Sequence, residues 1–289
     1  MKTLKYINSL GAEITFKQSH SAPFILKKFN PKTSVNIYSS KGSGQNGSTY
    51  FGNDLNEGDL PLEFAIKTAS QIDYLKLKKK LYQLFNPLLG EGRIVYFDGL
   101  VEKTITCIPE ELPFIVDINT HVGEGTIDLT AHNPFWTDLT EQKHEITLWV
   151  PNFSFPLELQ AEGMEIGYRS EILTANANNV GDVETGMRIV FKALASVTNP
   201  SLVNINTKEQ IKINTTMLKG QTITITTGYG EKRIVSKMAG IESNLFNALA
   251  PGSTFLQLAP GDNLFRYNAD DGIDYLSVTI YHSNRYLGV

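Results

Sequence analysis

MLKGQTITITTGYGEKRI, residues 217–234, decides the fold class. Gln221–Thr227 alternates apolar with polar residues, turn residues break it, and Lys232–Lys237 resumes the alternation. Period-2 alternation sends successive side chains to opposite faces of a sheet. The flanking sequence repeats the pattern in GDVETGMRIVF (181–191), NPSLVNINTKEQIKIN (199–214) and FLQLAPGDNLFRYNADDGIDYLSVTIYH (255–282), ahead of RYLGV (285–289). Strands are predicted at Ile211–Asn214, Gln221–Thr227, Lys232–Lys237, Thr254–Leu258, Asn263–Asn268 and Tyr275–Tyr281, with a helical turn at Asn244–Ala250. Short strands at regular spacing between turn signals predict a β-sandwich or barrel.

The N-terminal half also reads as mainly β. Ile7–Phe16 and Val35–Ser39 are strand-like, and Lys41–Asp59 is a Gly/Ser/Asn stretch expected to be a long functional or disordered loop. Leu62–Thr68 alternates as a strand. A helix is predicted over Ser70–Asn86, with Ser70 as N-cap and Asp73 three residues on. Tyr74, Leu77, Leu81, Leu84 and Leu88 form its apolar stripe, and Pro87 with Gly90 closes it. Lys76, Lys78, Lys79 and Lys80 make a basic run, read either as a solvated face or as a contact for an acidic neighbouring subunit. Strands follow at Arg93–Phe97, Val101–Ile108, Phe114–Ile118 and Thr126–Ala131. His132-Asn133-Pro134-Phe135-Trp136 punctuates the chain, since Pro holds its predecessor extended. A domain boundary is placed after it, giving 1–140 and 141–289. Strands at Glu145–Val150 and Gly167–Leu173 lead into the second domain.

Composition narrows the class. The 289 residues are 41% hydrophobic and 19% charged, enough for a core and too apolar for global disorder. The net charge of −4 gives no electrostatic pull toward nucleic acid. No apolar run is long enough for a membrane span, and MKTLKYINSLGAEITF lacks the apolar core of a signal peptide. The single cysteine, Cys107, lies in an alternating run and is expected to be a buried structural thiol. Synthesis in a reducing cytosol without export as a precursor is the expectation.

No motif carries chemistry. Gly42-Ser43-Gly44-Gln45-Asn46-Gly47 matches G-x-G-x-x-G, but the following Ser48–Asn53 is a poor helix start and no βαβ alternation surrounds it. Asp270-Asp271-Gly272 lacks the further oxygen ligands of a calcium loop and is read as a hairpin turn. Glu110 and Glu111 are adjacent, bracketed by Pro109 and Pro113, and expected to be solvated. The five histidines show no metal spacing, and His121 with Asp117 lacks a nucleophile signature. No enzyme activity, cofactor or metal is expected. Sugar binding, the alternative reading, needs an exposed aromatic platform. Its candidates are Trp136, Trp149, Tyr229, Tyr267 and Tyr281.

The order of these pieces resembles the siphophage distal tail proteins (the Dit family) across nearly the whole chain. The residues that carry the likeness are Gly44-Gln45-Asn46-Gly47, the strand Leu62–Thr68, the helix Ser70–Asn86 and Asn133-Pro134-Phe135-Trp136 in the first half. In the second half they are Gly181-Asp182, Asn199-Pro200, Leu218-Lys219-Gly220 and Leu258-Ala259-Pro260-Gly261-Asp262-Asn263. Asn46 and Asn133 stand where acidic residues are more usual. The resemblance implies an N-terminal, split-barrel-like β-domain that assembles as a homo-hexameric ring, and a C-terminal galectin-like sandwich. It implies a place at the virion tail tip, with the tail tube, a tail-associated tip protein and a receptor-binding protein as partners. Gly44, Gln45, Asn46 and Gly47 with Lys76, Lys79 and Lys80 are the expected contacts between protomers.

Overall fold

The computed structural model describes residues 1–146, 149–151, 167–169 and 174–289, with side chains for 1–146 and 174–289. The chain divides into two compact units, Met1–Leu139 with Tyr286–Val289, and Thr140–Arg285.

The first unit is a curled sheet with one α-helix. Its strands are β1 (Thr3–Ile7), β2 (Glu13–Lys17), β3 (Phe24–Phe29), β4 (Lys32–Ser40), β5 (Thr49–Asp59) and β6 (Leu62–Lys67). After helix α1 (Gln71–Leu84) come β7 (Gly92–Phe97), β8 (Glu102–Pro109), β9 (Phe114–Asn119), β10 (Val122–Ile127), β11 (Leu129–Ala131) and β12 (Trp136–Thr137). The sheet order is β4-β5-β11-β8-β7-β1-β2-β3-β6-β10-β9, so β4 and β9 are its two edges. Leu4, Tyr6, Phe16, Phe64, Ile94 and Ile105 fill the interior. Tyr6 stacks on Phe85 at a centroid distance of 4.2 Å, an arrangement worth about 0.5–1.5 kcal/mol beyond its buried area.

Helix α1 forms as its caps and stripe predict. Ser70 Oγ accepts from the Asp73 amide at 3.2 Å, and Tyr74, Leu81 and Leu84 are buried. Leu88 departs from the stripe. It lies in a 3₁₀ turn at Pro87–Leu89 and points into solvent, because Asn86 caps that turn and ends the α-helical phase.

Three other expectations are corrected. Ile7–Phe16 is not one strand but the end of β1, a turn at Asn8–Ala12, and β2; Asn8 Oδ1 accepts from the amides of Leu10 and Ala12 and folds the chain back. Thr126–Ala131 is split between β10 and β11. Lys41–Asp59 is not a loop: Thr49–Asp59 is β5, paired antiparallel with β4 from Lys32↔Asp59 to Ser40↔Thr49. Only the tip around Gly42–Gly47 is irregular. Polar side-chain bonds hold this hairpin where an apolar pattern would ordinarily announce it.

The second unit is a two-sheet sandwich. Its strands are β13 (Gln142–Glu145), β14 (Trp149–Pro151), β15 (Gly167–Arg169), β16 (Thr174–Asn179), β17 (Thr185–Ala193), β18 (Val197–Thr198), β19 (Ser201–Asn204) and β20 (Gln210–Lys212). Then follow β21 (Thr216–Met217), β22 (Thr222–Thr226), β23 (Arg233–Met238), β24 (Ile241–Asn244), β25 (Gln257–Leu258), β26 (Gly261–Asn268) and β27 (Leu276–His282). One sheet runs β13-β27-β17-β22-β23-β24 and the other β16-β26-β19-β20. Ile189, Phe191, Ile223, Ile225 and Val278 from the first meet Leu202, Ile211, Phe265 and Tyr267 from the second in one core. The expected helical turn is a 3₁₀ turn at Phe246–Ala248. The predicted strands Glu145–Val150 and Gly167–Leu173 run in part through residues 147–148 and 170–173, which lie outside the described residues.

Asp270-Asp271-Gly272 is a corner and not a hairpin, because β26 and β27 belong to different sheets. Lys212 Nζ and Asn199 Nδ2 donate to Asp270 at 2.7 and 2.8 Å and fix the corner. Gly272 turns it at φ 73°, and a Cβ there would sit 2.2 Å from the Ser196 carbonyl oxygen. Only glycine meets both demands without strain.

Candidate functional site

The geometry points to surfaces and not to a cleft for chemistry. The most unusual surface is the β4–β5 hairpin. Beyond Gly58, β5 pairs with no strand but β4 among the described residues, so Val35–Ser40 and Thr49–Glu57 project as a two-stranded arm. The cross-strand register sorts its side chains. Asn36, Tyr38, Asp54 and Asn56 share one face: Asn36 and Asn56 exchange amide bonds at 2.6 and 3.1 Å, Asn56 donates to Ser34 at 2.9 Å, and Tyr38 donates to Asp54 at 2.7 Å. The Asp54 carboxylate beside Tyr38, first by that hydrogen bond and then by its charge, raises the phenol above its ordinary pKa. The opposite face carries Val35, Ile37, Tyr50 and Leu55, and Tyr50 Oη donates to Asn53 on that face. Val35, Ile37 and Tyr50 are 47%, 68% and 60% exposed. The arm is an amphipathic ribbon whose apolar face is open.

Gly44, Gln45, Asn46 and Gly47 form the tip of this arm. Gln45 Oε1 accepts from the Gly42 amide at 3.0 Å and its Nε2 donates to Thr49 Oγ1 at 3.1 Å, so its side chain shapes the turn. Gly44 and Gly47 adopt φ 75° and 79°. No helix follows the tip, so the G-x-G-x-x-G reading has no pyrophosphate cradle.

The helix supplies a second surface. Lys76, Lys79 and Lys80 are exposed, with Lys76 3.9 Å from Asp73. Lys78 instead turns to β9, donating to Asp117 Oδ1 at 2.7 Å, and Tyr74 Oη donates to the same carboxylate. The Lys78 bond first, and Tyr74 second, hold the Asp117 carboxyl below its usual range. Burial, and then Asp117, push the Tyr74 phenol up. The helix and the β9 edge are therefore tied together, while the arm tip lies at the other edge of the sheet order.

Sequence reasoning missed a third surface. Asp117 faces the helix, and Ile115 packs on the core. Phe114, Val116 and Ile118, on the other face of the same strand, are 62%, 52% and 56% exposed. They border a groove of about 270 Å³ with Lys27, Glu63 and Glu124, in which Lys27 and Glu124 pair at 2.5 Å. The signal was present: Phe-Ile-Val-Asp-Ile is apolar on both strand faces, and one sheet edge has only one core to face.

At the root of the arm, a cavity of about 670 Å³ is lined by Phe29, Leu55, Tyr96, Trp136, Leu287 and Val289, among others. Tyr286 enters this unit beside Lys103, whose Nζ lies 3.4 Å from the ring centroid and donates to Asp138 at 2.6 Å. Trp136 packs edge-on to Phe29 and is 2% exposed, and Tyr267 is 1% exposed, so neither offers a sugar a stacking face. Tyr281 is half-buried beneath Arg188; Tyr229 is open to solvent. Among the described residues no cluster of three acidic, histidine or cysteine side chains is arranged for a metal. Also among them, no helix is long and apolar enough to cross a membrane. Cys107 is buried, and burial pushes its thiol up to about 12, far from a reactive thiolate.

Comparisons with known proteins follow the same two-part division. Residues 10–131 match the family model described as the phage tail protein RIFT-related domain. Residues 180–286 match the siphovirus-type tail component, C-terminal domain. No curated protein sequence matches. The crystal structure of the Dit protein of phage SPP1, described as a paradigm of the hub adsorption apparatus in phages infecting Gram-positive hosts, superposes with a TM-score of 0.69 at 13% identity, covering 98% of this chain and 99% of that one. A chain of the phage P2 baseplate in its activated conformation with calcium gives 0.54 at 10% identity, with both chains covered completely.

Proposed function

We propose, from the premise that the chain belongs to the siphophage distal tail protein family and is a component of a phage tail or baseplate, that it acts as the structural hub of the tail tip. In this reading the first unit closes into a homo-hexameric ring around the tail channel. The second presents its sandwich to tip and receptor-binding proteins, and the ring joins them to the tail tube. The task is mechanical: positions and surfaces are supplied, and no bond is made or broken. The arm carries the reading, because a two-stranded ribbon with an open apolar face is marginal in water until something covers it. The exposed tip Gly44–Gly47 and Lys76, Lys79 and Lys80 on α1 are proposed contacts between protomers.

Light scattering or native mass spectrometry across a concentration range tests the ring. The expected species is about six times the 32.1 kDa chain, visible as rings by electron microscopy. A strict monomer at high concentration overturns self-assembly of the isolated protein. Reversing charge with Lys79→Glu and Lys80→Glu together is expected to weaken the oligomer, and an unchanged mass removes these lysines from the contact.

A further inference from the structure

We infer that the sandwich carries a binding site for a phosphocholine head: an aromatic cage of Tyr229 and Phe255 for the trimethylammonium group, filled here by the protein's own Lys232, with Arg233 and the displaced lysine for the phosphate. The site lies within the second unit and does not rest on the hub reading.

Two segments build the cage. Tyr229 sits at the corner of the turn Gly228–Glu231 between β22 and β23. The Glu231 amide donates to the Gly228 carbonyl at 3.1 Å, and Gly230 takes φ 80°, the positive value that the third position of a type II turn demands. Thr226 Oγ1 donates to the Glu231 carbonyl at 2.6 Å and braces the turn at its base. Phe255 comes from the segment leading into β25, and Phe246 stacks on it at a centroid distance of 5.8 Å. Gln257 fastens the two walls: its Nε2 donates to the Thr227 carbonyl at 2.7 Å and to the Phe255 carbonyl at 3.2 Å. The fold therefore places both rings before any ligand arrives.

Lys232 Nζ lies over both rings, 5.4 Å from the Tyr229 centroid and 5.2 Å from that of Phe255. Both distances fall within the reach of about 6 Å at which a ring face attracts a cation. One cation shared by two ring faces is the arrangement by which proteins recognise quaternary ammonium groups. A lysine is a poor permanent occupant of such a cage. Its ammonium is strongly hydrated and its long stem loses freedom when held, and among the described residues no carboxylate anchors it. Tyr229 is 71% exposed, so the cage opens to solvent. A trimethylammonium group sheds water more cheaply and meets the same rings with an apolar surface.

The displaced lysine stays at the site. It joins Arg233, which also lacks a carboxylate partner among the described residues, along a groove of about 290 Å³ that Phe246, Ser243 and Asn244 also line. Glu242 lines it too, but its carboxylate is paired with Lys237 at 3.0 Å. Two available cations beside an aromatic cage suit a phosphate joined to a trimethylammonium group by a short spacer. The groove is smaller than the roughly 300 Å³ at which pockets for drug-sized ligands begin, so it takes a head group and little more.

Nuclear magnetic resonance of the full chain with isotope-labelled lysine tests the site, with phosphocholine as the probe. The two rings are expected to shift the Lys232 ε-methylene upfield in the free protein. Phosphocholine in the millimolar range is expected to return it, saturably, to the ordinary lysine position, while inorganic phosphate leaves it caged. Tyr229→Ala, a change at an exposed side chain, is expected to keep the melting temperature and to abolish both the upfield shift and the binding. Lys232→Gln is expected to strengthen binding of choline alone roughly two- to fivefold, the worth of the exposed contacts that choline no longer displaces. A Lys232 signal that ignores phosphocholine, or that moves equally with inorganic phosphate, overturns the proposal. Choline binding unchanged by Lys232→Gln overturns it as well. Phosphatidylcholine vesicles in place of the soluble ester separate the two sources of this head: co-sedimentation that Tyr229→Ala abolishes assigns a lipid, and binding of the soluble ester alone assigns a non-lipid ester.

Discussion

Strand β17 and the arm use the same device with opposite outcomes. In β17, Met187, Ile189, Phe191 and Ala193 alternate with half-buried or polar positions, and all four are sealed between the sheets of the sandwich. In the arm, Val35 and Ile37 alternate with Ser34, Asn36 and Tyr38, and nothing among the described residues seals them. The first alternation is sealed by folding; the second stays open to solvent. Hydrophobic patterning alone does not tell them apart, because the period is the same. The polar face does: in the arm it is a ladder of Asn, Tyr and Asp bonds that stiffens a ribbon lacking a core.

The comparison breaks most sharply at Phe191. Phe191→Ala removes a fully buried ring from the sandwich, and a loss of about 3–5 kcal/mol is expected. Ile37→Ser in the arm is expected to change folding stability by no more than about 0.5 kcal/mol. Chemical denaturation of the monomer at low concentration measures both. Similar losses for the two would mean that the arm is packed against its own chain.

A smaller effect is expected at the β9 edge. Gly123 on β10 lies against Tyr74, and a Cβ there would sit 2.1 Å from the Tyr74 hydroxyl oxygen. Gly123→Ala must displace the ring and with it the Tyr74 bond to Asp117. A cost of about 1–3 kcal/mol is expected, typical of overpacking. Wild-type stability in this variant would show that the helix tolerates a shift of Tyr74.

Much of this was legible in the sequence. The sandwich announces itself through Ile223, Ile225, Val278 and Ile280, whose alternation coincides with their burial. Helix α1 announces itself through Ser70, Tyr74, Leu81 and Leu84. The arm does not, because Asn36, Asn53, Asn56 and five glycines between Gly42 and Gly58 are residues that strands usually avoid. Their bonds run across the hairpin, between residues about twenty apart, and no local pattern encodes such pairs. The return of Tyr286–Val289 to the first unit was equally silent. It depends on Lys103 and Asp138, far away in the chain. At the candidate surfaces, the sequence supplied the arm tip and the lysines but not the β9 row, which only burial distinguishes from core.

Asn36→Ala sharpens the contrast within the arm. It removes both amide bonds to Asn56. These are exposed, so the expected cost to global stability is no more than about 1 kcal/mol. Amide exchange should nevertheless accelerate locally, in Val35–Ser40 and Thr49–Glu57, and stay unchanged in β17. Arm and sandwich would then be separate opening units. Acceleration spread evenly over both would contradict that.

The smallest expected effect concerns acid, and it distinguishes an edge fastened by charge from a core fastened by packing. Lys78 first and Tyr74 second hold the Asp117 carboxyl below its usual range. A depressed pKa in the folded state means that the unfolded chain takes up the proton more readily. The contribution of Asp117 is therefore complete above the unfolded value, about 3.9, and is lost as the pH falls through the lower, folded value. Asp117→Asn removes the charge and keeps the shape. The difference in melting temperature between wild type and this variant should be constant through neutral pH and shrink only below about pH 4. Because Asp117 is open to solvent, the difference should also shrink with added salt. In the sandwich, Lys212 first and Asn199 second hold the Asp270 carboxyl down in the same way, so on acidification the Asp270 corner and the β9 edge should both loosen while the uncharged core of isoleucines and Phe191 holds. A difference that survives undiminished at low pH and high salt would assign the effect of Asp117→Asn to packing under Tyr74 instead of to charge.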